Sequence, residues 1–144
     1  MLVVIAVGGC RRSGEDRSTL DLEQALHGHW SCVAQIPLGP DAGDWEVVGR
    51  PEQPIIEIDR FVDVRSVEKT WAEQSGELRW RTVSQTPETG EIVVATWSPA
   101  NPKVTQRRVL RLDRARTACL ELLPSKGPER TVQRWTYING QGSP

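Results

Sequence analysis

The chain has 144 residues, a charged fraction of 26% and a formal net charge of −1. That length suits one domain with a core large enough to hold without a metal. The near-zero charge excludes a global field that would favour nucleic acid or an acidic surface.

Residues 2–7, Leu-Val-Val-Ile-Ala-Val, are apolar, and Gly8-Gly9-Cys10 follows. So short a run falls well below the about 20 residues of a membrane-spanning helix. It reads as the end of a secretory apolar region. Val7-Gly8-Gly9-Cys10 resembles a bacterial lipobox: an aliphatic residue, two small residues, then the cysteine. The resemblance implies a lipid on Cys10, a membrane anchor, and a place in the bacterial cell envelope, periplasmic or surface-facing. Residues 11–18, Arg-Arg-Ser-Gly-Glu-Asp-Arg-Ser, lack order-forming side chains and suit a tether. The expected organisation is a signal remnant and tether over 1–17, a folded body over 18–139 and a loose tail over 140–144.

Ser18 or Thr19 is positioned to cap a short helix, with Leu20, Leu22, Ala25 and Leu26 as its apolar face and Gly28 as its stop. So short a helix holds only if that face docks on something. From Trp30 the period is two. Trp30, Cys32, Ala34 and Ile36 share one face, and Pro37 to Gly43 breaks the strand. Further strands are expected at Trp45–Val48, Pro54–Asp59, Phe61–Trp71, Glu77–Gln85, Glu91–Ser98, Thr105–Asp113, Thr117–Leu123 and Thr131–Ile138. Short turns between consecutive strands mean an antiparallel up-and-down meander. Closing it removes its edges. The expected fold is therefore all-β: an antiparallel up-and-down β-barrel of about eight strands with a short N-terminal helix.

Gly28-His29-Trp30, after a short helix and before seven or so meandering strands, resembles the opening of the lipocalin-like (calycin) barrels. In that family the tryptophan lies at the closed end and an arginine of the last strand packs over its ring. The resemblance points to Trp30 and Arg134 as this barrel-closing pair. The bland alternative is a turn followed by a core tryptophan. Closure also brings the first strand beside the C-terminal hairpin, so a Cys32–Cys119 disulfide is geometrically open. The chain-entropy model gives it about 4–5 kcal/mol. Two buried free thiols are the alternative.

No catalytic constellation is legible, and the expectation is a non-enzyme. His27, His29 and Cys32 are too few and too irregularly spaced for a zinc site, so neither metal nor cofactor is expected. Glu57, Asp59 and Asp63 are carboxylates with nothing to set their pKa values apart, and a solvated face explains them better. Arg107, Arg108, Arg111, Arg114 and Arg116, with Arg79 and Arg81, form a basic stretch. It suits anionic groups or, more plainly, a solvated strand face. Arg108 alone shares its side with Leu110 and Leu112, and an inward arginine needs a partner.

Eight strands leave an interior that side chains can just fill, or that holds one small ligand. The leading expectation is a lipid-anchored barrel binding a small apolar or amphipathic molecule. Its lining candidates are Cys32, Ala34, Ile56, Ile58, Leu78, Trp80, Ile92, Val94, Arg108, Leu110 and Leu112. The second expectation is a structural or protein-interaction module of the envelope. Its barrel would be filled, with Trp45, Trp71 or Trp97 exposed for a partner of unknown identity. Nucleic acid is not an expected partner.

Overall fold

Period-two patterning in this chain produces strands, and the strands close. The computed structural model describes residues 16–38, 45, 51–124 and 130–140. Eight antiparallel strands follow one another: β1 (Gly28–Leu38), β2 (Gln53–Asp63), β3 (Thr70–Glu73), β4 (Gly76–Thr86), β5 (Glu91–Ser98), β6 (Asn101–Leu112), β7 (Ala118–Leu122) and β8 (Arg130–Asn139). Each pairs with the next, and β1 also pairs with β8, so the barrel is closed. Such a barrel fits a lipocalin-like fold. The expected strand at Trp45–Val48 lies outside the described residues except for Trp45, which is buried.

Phe61–Trp71 is not one strand. The Asp63 carboxylate accepts the backbone N–H of Arg65 at 2.8 Å and of Ser66 at 3.2 Å. That turn chemistry ends β2 and separates it from β3. In the other direction, Arg60 does not break the chain. It lies within β2, opposite Trp30 of β1.

One short helix, α1 (Leu22–Ala25), plugs the narrow end. Its cap is Asp21, not Ser18 or Thr19: the Asp21 carboxylate accepts Gln24 N–H at 2.7 Å. Leu22, Ala25 and Leu26 are buried against the barrel core. Glu23 on the flank of α1 takes hydrogen bonds from Lys69 and Thr82, both at 2.6 Å, which fasten the plug to the wall.

Gly28 starts β1 with φ at +139°, and a Cβ there would lie 2.5 Å from the Tyr137 ring and 2.8 Å from the Asn139 carbonyl oxygen. Only glycine fits. Trp30 then enters the core, its Nε1–H donating to Leu26 O at 3.0 Å.

The ladder slips between Cys32 and Ala34. Opposite β8, Cys32 pairs with Trp135 but Ala34 pairs with Arg134, so Val33 is an extra residue in β1. A bulge of this kind reverses which face the following residues present. Cys32 faces inward; Ala34 and Ile36 face outward beside Arg134 and Val132. Ile36, Leu38 and Val132 form a second cluster there, with Val109, Leu120 and Leu122 against it and Trp45 closing it. The Arg111 guanidinium sits 5.1 Å from the Trp45 ring.

No disulfide forms: Cys32 and Cys119 are free and buried. The closure that motivated the bridge is real, but β8 stands between the two cysteines. Both take Trp135 as their cross-strand partner, from opposite sides. Cα atoms two strands apart are about 9.5 Å from each other, against the about 4.4–6.8 Å a disulfide spans.

Candidate functional site

The barrel interior has two halves of different character. At the end covered by α1 it is apolar and filled. Trp80, Ile92, Val94, Leu110 and Leu112, expected to line a pocket, all belong to one packed core with Trp30, Val62, Trp71 and Trp135. Trp71 and Trp80 meet edge to face with centroids 5.8 Å apart. A cavity of about 10 Å³ between Leu26, Trp30, Trp71 and Trp135 is at the threshold for a single water. Ile58 and Leu78 are partly buried against this core. Ile56 is 91% exposed and lines nothing inside. Ala34 is on the outer face, for the reason of the bulge.

Toward the wide end the interior carries charge. Arg60, Glu73, Arg108 and Glu121 come from β2, β3, β6 and β7, and all four face inward by strand alternation. Arg60 Nη2 lies 2.7 Å from Glu73 Oε2 and 2.7 Å from Glu121 Oε1. Arg108 Nη1 lies 3.1 Å from Glu73 Oε2 and 3.1 Å from Glu121 Oε2. Each arginine therefore touches both carboxylates.

Neighbours hold the quartet in place. Glu73 also accepts the Trp71 indole N–H at 3.0 Å, and Arg108 Nε donates to Thr96 Oγ1 at 3.2 Å. The Arg60 guanidinium is held between two rings, 4.6 Å from the Trp71 centroid and 3.8 Å from that of Trp135, a stabilising cation–π arrangement. Burial alone would raise the Glu73 pKa, but Arg60 and Arg108 outweigh it and hold the carboxyl below its ordinary value. Burial alone would lower the Arg60 pKa, and Glu121 and Glu73 outweigh it and raise it. The quartet sets two guanidinium groups against two carboxyl groups.

Trp135 Nε1 is buried with no hydrogen-bond partner among the described residues, whereas Glu121 Oε1 has the Arg60 guanidinium 2.7 Å away.

Above the quartet the barrel opens. A cavity of about 320 Å³ has Arg60, Glu73, Arg108 and Glu121 in its floor and Trp135 in its wall, with Gln74, Gln106 and Gln133 around it. It continues into a slot of about 610 Å³ between β6 and the segment Glu121–Pro124, with Arg130 at its border. The slot exists because the strands differ in length. β7 pairs with β6 only over Leu110–Leu112, so β6 runs on toward the wide end without it.

Arg134, expected over Trp30, is on the outer face, paired with Glu52 and partly exposed. Trp30 instead meets Tyr137 edge to face at 5.5 Å, and Arg17 covers Tyr137 at 3.6 Å. Arg17 also donates to Ala25 O at 2.7 Å and Arg116 O at 2.9 Å. The cation at the closed end thus comes from the segment before the helix. Trp71 and Trp45, expected as exposed anchors, are buried. His27 is committed to structure: its Nδ1 accepts Val64 N–H at 3.1 Å and its Nε2 lies 3.2 Å from Gly140 O. His29 lies near Asp59 on the outside. Cys10 lies outside the described residues.

Arg60, Glu73 and Glu121 escaped the sequence reading. Strict alternation finds them: Arg60 follows Ile58 and precedes Val62, Glu73 follows Trp71, and Glu121 follows Cys119.

Comparison with known proteins returned nothing that bears on the site: no family model, no curated protein and no solved structure matches this chain.

Proposed function

We propose that this protein is a binding module of the bacterial cell envelope, held to a membrane by lipid on Cys10, that takes one small ligand at the wide end of its barrel. The observation that carries the reading is the open cavity of about 320 Å³ over the charged floor, a size within the range of small-molecule sites. The ligand sits higher than in a deep apolar calyx, because the closed half is filled. Ile58, Leu123 and Pro124 supply apolar contact, and the floor supplies polar contact. That suits an amphipathic molecule over a purely apolar one. The module is a binder and not a catalyst, within a lipocalin-like architecture.

Native mass spectrometry of protein released from its own membrane tests the reading. A retained small-molecule mass, lost in a Gln133→Trp variant that plugs the mouth, supports it. A bare protein, with no shift of mouth resonances in any metabolite extract, overturns it. Acyl chains on the Cys10 peptide, and release of a Cys10→Ala variant into the soluble fraction, test the anchor separately. The second reading is a filled barrel serving as an interaction module. It draws on the tryptophan-packed closed half, and it predicts the bare mass.

A further inference from the structure

Where β7 stops, β6 continues, and the side it leaves bare is a strand edge. Asp113 N–H donates to Ala118 O on the β7 side, whereas Leu112 N–H donates to Gly90 O on the β5 side. The pairing of β6 with β5 runs without a slip from Arg111 to Thr105. The alternation therefore carries along the strand, and every second residue from Asp113 aims its backbone groups at the β7 side. The last β7 partner is Glu121, opposite Leu110. Arg107 and Thr105 each turn an N–H and a C=O toward the slot, with no strand across from them among the described residues. Both are exposed. Donors and acceptors repeating along an extended backbone are matched by a second extended backbone, which is the chemistry of strand addition.

The side chains set the charge of the strand that fits. Among the described residues, Arg107, Arg108, Arg130 and Glu121 are the charged groups bordering the slot. Arg108 and Glu121 are engaged in the quartet, so the surplus is cationic. Arg107 makes no ion pair among the described residues. Its neighbour in the row is Ala95, and Arg81 follows on the far side of Ala95, so the row holds no carboxylate. A carboxylate opposite Arg107 on an added strand faces the same way, with Cβ atoms about 4.5–5.5 Å apart. A second copy of this edge would instead set Lys103, Arg107 and Arg108 against themselves, and like charges across a ladder are destabilising. The edge is thus guarded against its own copies and complementary to an acidic strand.

We propose that the bare edge of β6 at Thr105 and Arg107 is a docking site for an extended acidic segment of a partner protein, which joins the barrel as a strand along the line β7 has left. The proposal does not depend on a small ligand in the mouth. Isotope-labelled full-length protein is titrated with blocked pentapeptides that alternate valine with glutamate, with threonine or with lysine. The expected result is a saturable downfield shift of the Arg107 and Thr105 backbone amide protons, and slower exchange of both, with the glutamate peptide. The lysine peptide should bind at least about ten-fold more weakly. N-methylation of the glutamate residues, whose N–H groups would face β6, should abolish binding. Thr105→Pro removes one edge N–H, a change that edge strands tolerate, and should also abolish it. Arg107→Gln keeps the backbone and should weaken it about three-fold. Both variants should keep the amide spectrum of the closed barrel. Equal binding of all three peptides overturns the acidic partner. The same shifts from the N-methylated peptide, or from inorganic phosphate alone, overturn strand addition. Silence from every peptide overturns the docking site.

Discussion

Cys32 and Cys119 flank the same residue: each is the cross-strand neighbour of Trp135, one from β1 and one from β7. The strand that closes the barrel is the strand that keeps the two sulfurs apart. Burial also raises the pKa of both thiols, so the reactive thiolate is scarce at neutral pH. We expect peptide maps of air-oxidised protein to contain no Cys32–Cys119 linked peptide. Thiol reagents should label both cysteines only as fast as the barrel opens. Rapid labelling of either in native buffer would contradict this placement.

The quartet should behave as a unit. Removing Arg60 alone leaves Glu73 and Glu121 buried with one cation between them, and loss of one member of a buried pair typically costs about 3–5 kcal/mol. Arg60→Met should fall in that range by urea denaturation. Arg60→Met combined with Glu121→Gln should cost less than the two single changes added together, because the second removes the charge that the first stranded. Strict additivity would mean that the four groups are not coupled.

The sequence shows these strands because alternation of apolar with polar residues is local information. Trp30, Ile92, Val94, Leu110 and Leu112 face inward as that alternation says. The quartet stayed hidden because a charged residue is assigned to solvent unless a partner is known, and the partners lie on four different strands. Arg108 is marked in the sequence only by its apolar neighbours Leu110 and Leu112. The outward turn of Ala34 was illegible for another reason: a bulge is one extra residue, and the ladder that shows Val33 as extra belongs to β8, about a hundred positions away. The end of β2 was legible in principle, since Asp63 and Ser66 carry the turn chemistry, but the apolar pattern on either side ran through it.

His27 makes the closed end sensitive to acid. Burial is the main cause that lowers its pKa below the ordinary value, with Arg65 adding to it. The neutral ring is the one that fits, because Nδ1 must accept the Val64 N–H. A depressed folded pKa means that the unfolded chain takes up the proton first as pH falls. The stabilisation is therefore complete above the unfolded value of about 6.5 and is lost as pH falls through the lower folded value. Denaturant midpoints measured from pH 8 down to 5 should decline, and His27→Gln should flatten that decline while lowering the plateau. A His27→Gln profile parallel to that of the unmodified protein would place the sensitivity elsewhere.

Arg17 and Arg134 offer a direct comparison between the closing contact that is present and the one that is not. Arg134 pairs with Glu52 in partial exposure, and exposed pairs contribute about 0–1 kcal/mol. Arg17 is 6% exposed, covers the Tyr137 ring and satisfies two carbonyl oxygens. A cation over an aromatic ring is worth about 0.5–2 kcal/mol, and each hydrogen bond from a charged donor about 1.5–3 kcal/mol. Arg17→Ala should therefore lower stability by at least about 2 kcal/mol, whereas Arg134→Ala should stay within about 1 kcal/mol of the unmodified protein. Fluorescence should register the same difference, because Tyr137 packs directly on Trp30 and loosens only when Arg17 is lost. A larger effect at Arg134 would restore the last-strand arginine as the closing residue and remove Arg17 from that role.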